Sequence, residues 1–219
     1  MKVGVISDLH ANAVALEAVL DDMPAVDAYV CAGDVVGYGP HPAECVERVR
    51  ELDAPTVMGN HDRAVATDTA FRFNRMARAG VEYSREHLPD EAIEWLDGLP
   101  DERVLFDGRV KVVHGHPDER DRYTYPGMFS GDLLGDEDVL VLGHTHVQAV
   151  ETFEAGVVLN PGSVGQPRDE DPRAAYAVLD LGDLSVDLHR VRYDVARVRH
   201  AVAEAGLPEQ IGSRLEEGR

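Results

Sequence analysis

Six of the ten histidines fall within a set of five short stretches that also carry Asp, Asn and Gly. These are Asp8-Leu9-His10, Gly33-Asp34, Gly59-Asn60-His61-Asp62, His114-Gly115-His116 and Gly143-His144-Thr145-His146. Carboxylate oxygen, amide oxygen and imidazole nitrogen are donors that suit Mn, Fe, Zn or Ni, whereas a closed structural zinc cage favours thiolates. The two cysteines, Cys31 and Cys45, lack paired zinc-thiolate spacing and read as buried free thiols. Asp-x-His alone is an ordinary solvated turn, and His-x-His alone is often an exposed loop. Five such stretches together point to a metal centre able to activate water.

Each stretch follows an apolar run that reads as a strand: Val3–Ser7, Ala28–Ala32, Thr56–Met58, Val110–Val113 and Val139–Leu142. In α/β sheets the crevice outside the carboxyl ends of strands is where ligands bind. Between the first three runs lie helical patterns, Asn12–Met23 with Asn12 as N-cap and Pro42–Leu52 with proline in its first turn. That β-α-β-α-β order predicts parallel strands with helices packed on them. Phe71–Leu99 reads as helical, with Pro89 starting a second segment. From Arg103 onward strands dominate: Val104–Phe106, Gln148–Phe153, Val157–Leu159, and a hairpin of Ala174–Leu181 with Ser185–Tyr193. A last helix spans Val195–Ala205, closed by Gly206 and Pro208, and the polar tail beyond Ile211 is expected to fray. Pro117–Gly135 reads as a long surface loop, a kind of segment often used as a lid. The expected fold is α/β, a four-layer αββα sandwich of two mixed sheets flanked by helices, formed by residues 1–219 as one domain.

Asp and Glu number 41 against 21 Lys and Arg, for a net charge of −20, so no basic stripe exists to contact a nucleic-acid backbone. The same charge repels anionic substrates unless a local cation reverses the field. Lys2 and Lys111 are the only lysines. An acid-rich, lysine-poor surface suits hydration in concentrated salt, which makes a halophilic source the expectation. No apolar run reaches the roughly 18 residues that span a bilayer, and Met1–His10 lacks a signal-peptide pattern, so the expected location is the cytoplasm.

The ordered set D-x-H, G-D, G-N-H-D, a strand-end His and G-H-T-H resembles the calcineurin-like metallophosphoesterases, over Val3 to about Gly165. The segment Asn160-Pro-Gly-Ser-Val-Gly-Gln-Pro-Arg168 further resembles the small prokaryotic phosphodiesterase branch of that superfamily. The resemblance implies two divalent ions, manganese first, with Fe, Zn, Ni or Mg as alternatives. It places Asp8, His10 and His146 on one ion, Asn60, His114 and His144 on the other, and Asp34 between them. Two ions roughly 3.5–4 Å apart clamp the attacking and leaving oxygens of an in-line displacement, with a shared hydroxide as nucleophile. The resemblance makes His61 the proton donor or stabiliser of transition-state charge, oriented by Asp62. It also places Asn160–Ser163 against the His144–His146 loop.

His41, on the loop after Asp34, and Arg168 are candidate substrate contacts. His116 is expected beside the site rather than on a metal, and His87, His189 and His200 are expected to be ordinary surface or partly buried residues. The expected reaction is hydrolysis of a small phosphodiester. A dinucleoside polyphosphate hydrolase or protein phosphatase shares the motifs. A scaffold, as in a retromer subunit of this superfamily that lacks the catalytic histidine, is disfavoured by the intact Asn60-His61 pair. Neither the substrate nor the oligomeric state can be read from the sequence.

Overall fold

The computed structural model describes residues 1–70 and 73–219, so Phe71, the expected start of a helical stretch, lies outside the described residues. The chain begins with β1 (Lys2–Ile6), α1 (Ala13–Asp22), β2 (Ala28–Cys31) and α2 (Pro42–Glu51). The Asn12 side chain accepts the Ala15 amide at 3.1 Å, the expected N-cap, and Pro42 occupies the first turn of α2. Three helices follow: α3 (Asn60–Thr67), α4 (Arg75–His87) and α5 (Asp90–Asp97). The strand-rich half comprises β3 (Glu102–Leu105), β4 (Val110–Val113), β5 (Val139–Val141), β6 (Ala149–Phe153), β7 (Gly156–Asn160), β8 (Ala174–Asp180) and β9 (Ser185–Val191). Helices α6 (Val195–Glu204) and α7 (Glu209–Ser213) come last.

The strands form two mixed sheets, ordered β2-β1-β8-β9 and β3-β4-β5-β7-β6. In the first, β1 and β2 are parallel and β8 and β9 antiparallel; in the second, β4, β5 and β7 are parallel and the edge strands antiparallel. Side-chain alternation explains why both sheets are buried on two faces. Val3, Val5, Ala177 and Leu179 of the first sheet meet Val110, Val112, Val139, Val141, Val157 and Leu159 of the second. On the other side of the first sheet, Ile6, Cys31, Tyr176 and Val178 pack under α1, α2 and α5. On the outer face of the second sheet, Leu140, Leu142 and Val158 are covered by Phe129, Leu133 and Leu134, from a segment holding two short 3-10 turns. The layers are thus helices, sheet, sheet and short helical turns.

Two local expectations change. Thr56–Met58 is not a ladder strand: only a parallel bridge joins Thr56 to Cys31, and the Met58 amide turns to the Pro100 carbonyl at 2.8 Å. The reason is α3, unforeseen in the sequence, which begins two residues later and takes the backbone away from the sheet. The tail beyond Ile211 does not fray. Leu215 is buried with Ile211, Val198 and Val202, and the Gly218 carbonyl accepts the Glu170 amide at 3.0 Å, so one apolar anchor and one backbone hydrogen bond hold an otherwise polar segment. Cys31 and Cys45 are both free and buried.

Candidate metal centre

Strands β1, β2, β4 and β5 all deliver their following residues to one end of the sandwich. There the backbone must turn sharply to point several short polar side chains at one spot. Asp8, His10, Asp34, His144 and His146 all adopt positive φ, between 48° and 65°, in the left-handed region that L residues seldom occupy. Such local strain persists only where the surroundings enforce it, and it clusters at functional sites. The strand-end loops enforce it on one another: the His10 amide donates to the Asp34 carbonyl at 3.0 Å, and the Gly143 amide donates to the His114 carbonyl at 2.8 Å. Close approach does the rest. A Cβ on Gly59 would lie 2.0 Å from Asp34 Oδ1, and one on Gly143 2.3 Å from Ser7 Oγ.

Two donor groups result, and they share one carboxylate. Asp8, His10, Asp34 and His146 converge in one, Asp34, His114 and His144 in the other, with their candidate ligand atoms within 4.8 Å of one another in each group. Asp34 Oδ2 lies 3.7 Å from His10 Nε2 and 3.3 Å from His114 Nε2, between the two groups. Asn60 joins the second, its Oδ1 3.3 Å from His114 Nε2. Asp8 Oδ1 lies 3.2 Å from His146 Nε2 and, though buried, has no hydrogen-bond partner.

Outward-facing ring nitrogens are tied to backbone carbonyls. Nδ1 of His10 donates to Val36 at 3.2 Å, of His114 to Ala32 at 2.7 Å and of His146 to Gln166 at 2.5 Å. That fixes the ring orientations and leaves each Nε2 facing inward. In His144 the order reverses: Nε2 donates to the Asp121 carbonyl at 3.2 Å, so Nδ1 is the inward atom. His10 Nε2 and His146 Nε2 lie 3.0 Å apart, two lone pairs aimed at each other, an arrangement that a cation between them relieves.

Protonation follows the same logic. Burial pushes His61 and His144 down to about 4 and also lowers His10 and His146, so these rings are neutral. Burial alone would raise Asp8 and Asp34, yet the adjacent imidazoles, His146 and His114 respectively, hold both below the usual carboxylate range. His114 goes the other way: burial disfavours its charge, but Asp34 beside it lifts it to about 10. Buried carboxylates, the neutral imidazoles of His10, His144 and His146 and one orphaned oxygen fit divalent cations, one of which would take the place of the proton that Asp34 favours on His114.

A match to the calcineurin-like phosphoesterase superfamily domain spans residues 1–184. The chain belongs to that superfamily. A Methanocaldococcus jannaschii protein is 33% identical over 239 aligned positions, covering 99% of this chain and 98% of its own. Phosphodiesterase YfcE of Escherichia coli is 31% identical over 198 residues, covering 85% of this chain and 91% of YfcE. The crystal structure of a metallophosphoesterase from Sphaerobacter thermophilus matches 100% of this chain and 99% of that one, at 39% identity and a TM-score of 0.87. The calcineurin-like chain described here is accordingly a metal-dependent phosphoric ester hydrolase, with divalent ions as cofactors.

Within this calcineurin-like centre, the expected pairing of Asp62 with His61 is not present. Asp62 accepts the amides of Asp34 at 2.8 Å, Gly59 at 3.0 Å and Val36 at 3.2 Å, while His61 Nδ1 is buried without a partner. Both residues lie on α3, where consecutive side chains diverge. Burial, with Asp34 nearby, lifts Asp62 to about 7. His61 instead packs among rings, 4.6 Å from Tyr38, 4.7 Å from Phe73 and 4.8 Å from His10 between centroids.

Arg168 comes close to the site: its guanidinium donates to Gln166 Oε1 at 2.7 Å and Tyr38 Oη at 3.3 Å and stands over the Tyr38 ring. His41 opens α2 with Glu44 and Arg197 as its charged neighbours, and the carboxylates of the centre are not among them. His116 is buried and accepts the Asp118 amide at 3.1 Å, apart from both donor groups. Asn160 donates to the Gly143 carbonyl at 2.8 Å and to Thr145 Oγ1 at 3.0 Å, bracing the His144–His146 loop as the family pattern implies. Sequence reasoning missed Tyr38, Phe73 and Tyr123. The Gly-Tyr-Gly frame around Tyr38, with φ 57° at the tyrosine, was a usable signal; the other two had none.

Proposed function

We propose that this chain is a dinuclear phosphodiesterase of the cytoplasm that hydrolyses a small phosphoester. The observation that carries this reading is the shared carboxylate: Asp34 faces both donor groups, as a ligand common to two ions must. Asp8, His10 and His146 would hold one ion, Asn60, His114 and His144 the other, with Asp34 in both shells and Mn²⁺ the expected occupant. Divalent ions held there would activate water near neutral pH and neutralise charge on the phosphoryl group. The preference for diesters is supported by the relationship to YfcE, which is a phosphodiesterase by name.

The remaining work falls to side chains of this chain. Arg168, next to Tyr38 at the rim, pairs with a non-reacting phosphate oxygen. His61, neutral in its buried ring cluster, takes up a proton from solvent when the phosphodiester anion raises its proton affinity, and passes that proton to the leaving oxygen. Asp62 acts through Asp34, by holding its backbone.

The test is turnover of bis-p-nitrophenyl phosphate with Mn²⁺, alongside metal analysis of the protein. Two ions per chain, and activity lost to a chelator and restored by Mn²⁺, are expected. No turnover with any divalent metal, or one ion per chain, refutes the reading.

A further inference from the structure

Three rings lead outward from the centre. The Tyr123 ring stacks on His144, with centroids 3.9 Å apart and planes 18° from parallel, and Tyr125 continues the series at 5.9 Å and 13°. Tyr123 and Tyr125 are 45% and 48% exposed and belong to no core cluster of the described residues. Their backbone is nevertheless fixed. Thr124, between them, is buried and donates Oγ1 to the Gly115 carbonyl at 3.1 Å, which throws both neighbours to the same outer side. The Tyr125 carbonyl accepts the Met128 amide at 2.8 Å, and the Asp121 carbonyl holds His144. Adjacent aromatic faces held in place beside a reactive centre form a surface that a ligand can cover.

We propose that Tyr123 and Tyr125 are a stacking platform that selects phosphodiesters carrying a flat aromatic group, a nucleobase, on the part of the substrate that stays attached to phosphorus. The inference rests on the phosphodiesterase reading above. The platform starts at a candidate ligand, His144, so a ring on it lies one linker's length from the phosphoryl group. Stacking is tolerant of base identity and strong enough to matter. The net charge of −20 disfavours a long polyanion, so the fitting ligand is a nucleotide-sized diester.

The test compares diesters sharing one leaving group: thymidine 5′-(p-nitrophenyl phosphate), phenyl p-nitrophenyl phosphate and ethyl p-nitrophenyl phosphate, with Mn²⁺. In each, water oxygen bonds to phosphorus, the P–O bond to nitrophenol breaks and p-nitrophenolate leaves. The thymidyl ester is expected to exceed the ethyl ester in kcat/KM by on the order of tenfold. That ratio should collapse toward one in Tyr125→Ala and persist in Tyr125→Trp. A phenyl ester equal to the thymidyl ester sustains the platform with any aryl group as its ligand; a thymidyl advantage over phenyl assigns it to the nucleobase. Equal rates for thymidyl and ethyl esters in the wild type, or an unchanged ratio in Tyr125→Ala, overturn the platform while leaving the phosphodiesterase intact. No hydrolysis of any of the three sinks the phosphodiesterase reading itself.

Discussion

The Asp62 carboxylate accepts the backbone amide of Asp34 at 2.8 Å, so the residue next to the candidate acid His61 serves the carboxylate shared by the two donor groups instead. Its other bonds, to Gly59 and Val36, tie the start of α3 to the loop after β2. Asp62→Asn puts an NH₂ group against backbone donors. It should cost about 1–3 kcal/mol of stability, the penalty for a buried donor left without its acceptor. Urea unfolding reads the loss, and Mn²⁺ affinity should fall with it. Unchanged stability together with a shifted pH–rate profile would restore Asp62 to the role of orienting His61.

His61 sits beside the donor groups without joining either. His61→Ala should therefore keep its full metal content while losing about 10²–10⁴-fold in kcat, the span of a general acid. A substrate with a better leaving group should recover part of that loss, since it needs less protonation. Loss of metal, or full activity, would reassign the residue.

The candidate metal ligands stood out because each lies in a short polar stretch just past an apolar run, with a glycine beside several of them, and the family resemblance supplied their roles. The sheet pairing was legible in kind, since β-α-β order dictates parallel neighbours. Other features depended on contacts distant in sequence. Tyr123 meets His144 across 21 positions, and Leu215 meets Val198 through a packing that a polar tail does not advertise. Asp62 misled for a local reason: adjacency in sequence suggested contact, but α3 turns neighbouring side chains apart.

Arg63 reaches from α3 to Asp121 at 2.8 Å, and the Asp121 carbonyl accepts from His144 Nε2. The arginine is 16% exposed and Asp121 54%, so the bond is shielded from water on the arginine side only. Arg63→Ala should loosen the loop that fixes the His144 tautomer and weaken one of the two metal sites by about 10-fold, the low end for partners that orient ligands. Titration with Mn²⁺ should then resolve one unchanged and one weakened step. Two unchanged steps would make the contact a surface pair and nothing more.

His41 is partly buried, and its Nδ1 has no hydrogen-bond partner. Burial lowers its folded pKa, with Arg197 adding to that and Glu44 opposing. The unfolded state therefore binds the proton more readily, near 6.5, and stability is lost as pH falls from there toward the lowered folded value. Unfolding of the Mn²⁺-loaded protein at pH 7.5 and 5.5 should show a smaller acid loss in His41→Gln than in wild type. Equal losses would place the acid sensitivity elsewhere.

With Asp and Glu outnumbering Lys and Arg by 41 to 21, self-repulsion is a standing cost of the folded state. Ordinary screening relieves most of that by a few tenths molar salt, because the Debye length is already about 10 Å at 0.1 M and only about 3 Å at 1 M. A halophilic surface goes further, binding water and cations through its dense carboxylates, so Tm should keep rising toward molar KCl. A plateau below about 0.5 M, where screening alone saturates, would reduce this chain to an acidic protein of ordinary salt tolerance. Substituting exposed acidic residues such as Glu47 on α2 and Glu86 on α4 by Lys separates the two cases further. Those changes should flatten the molar-salt gain of a halophilic surface while raising Tm at low salt.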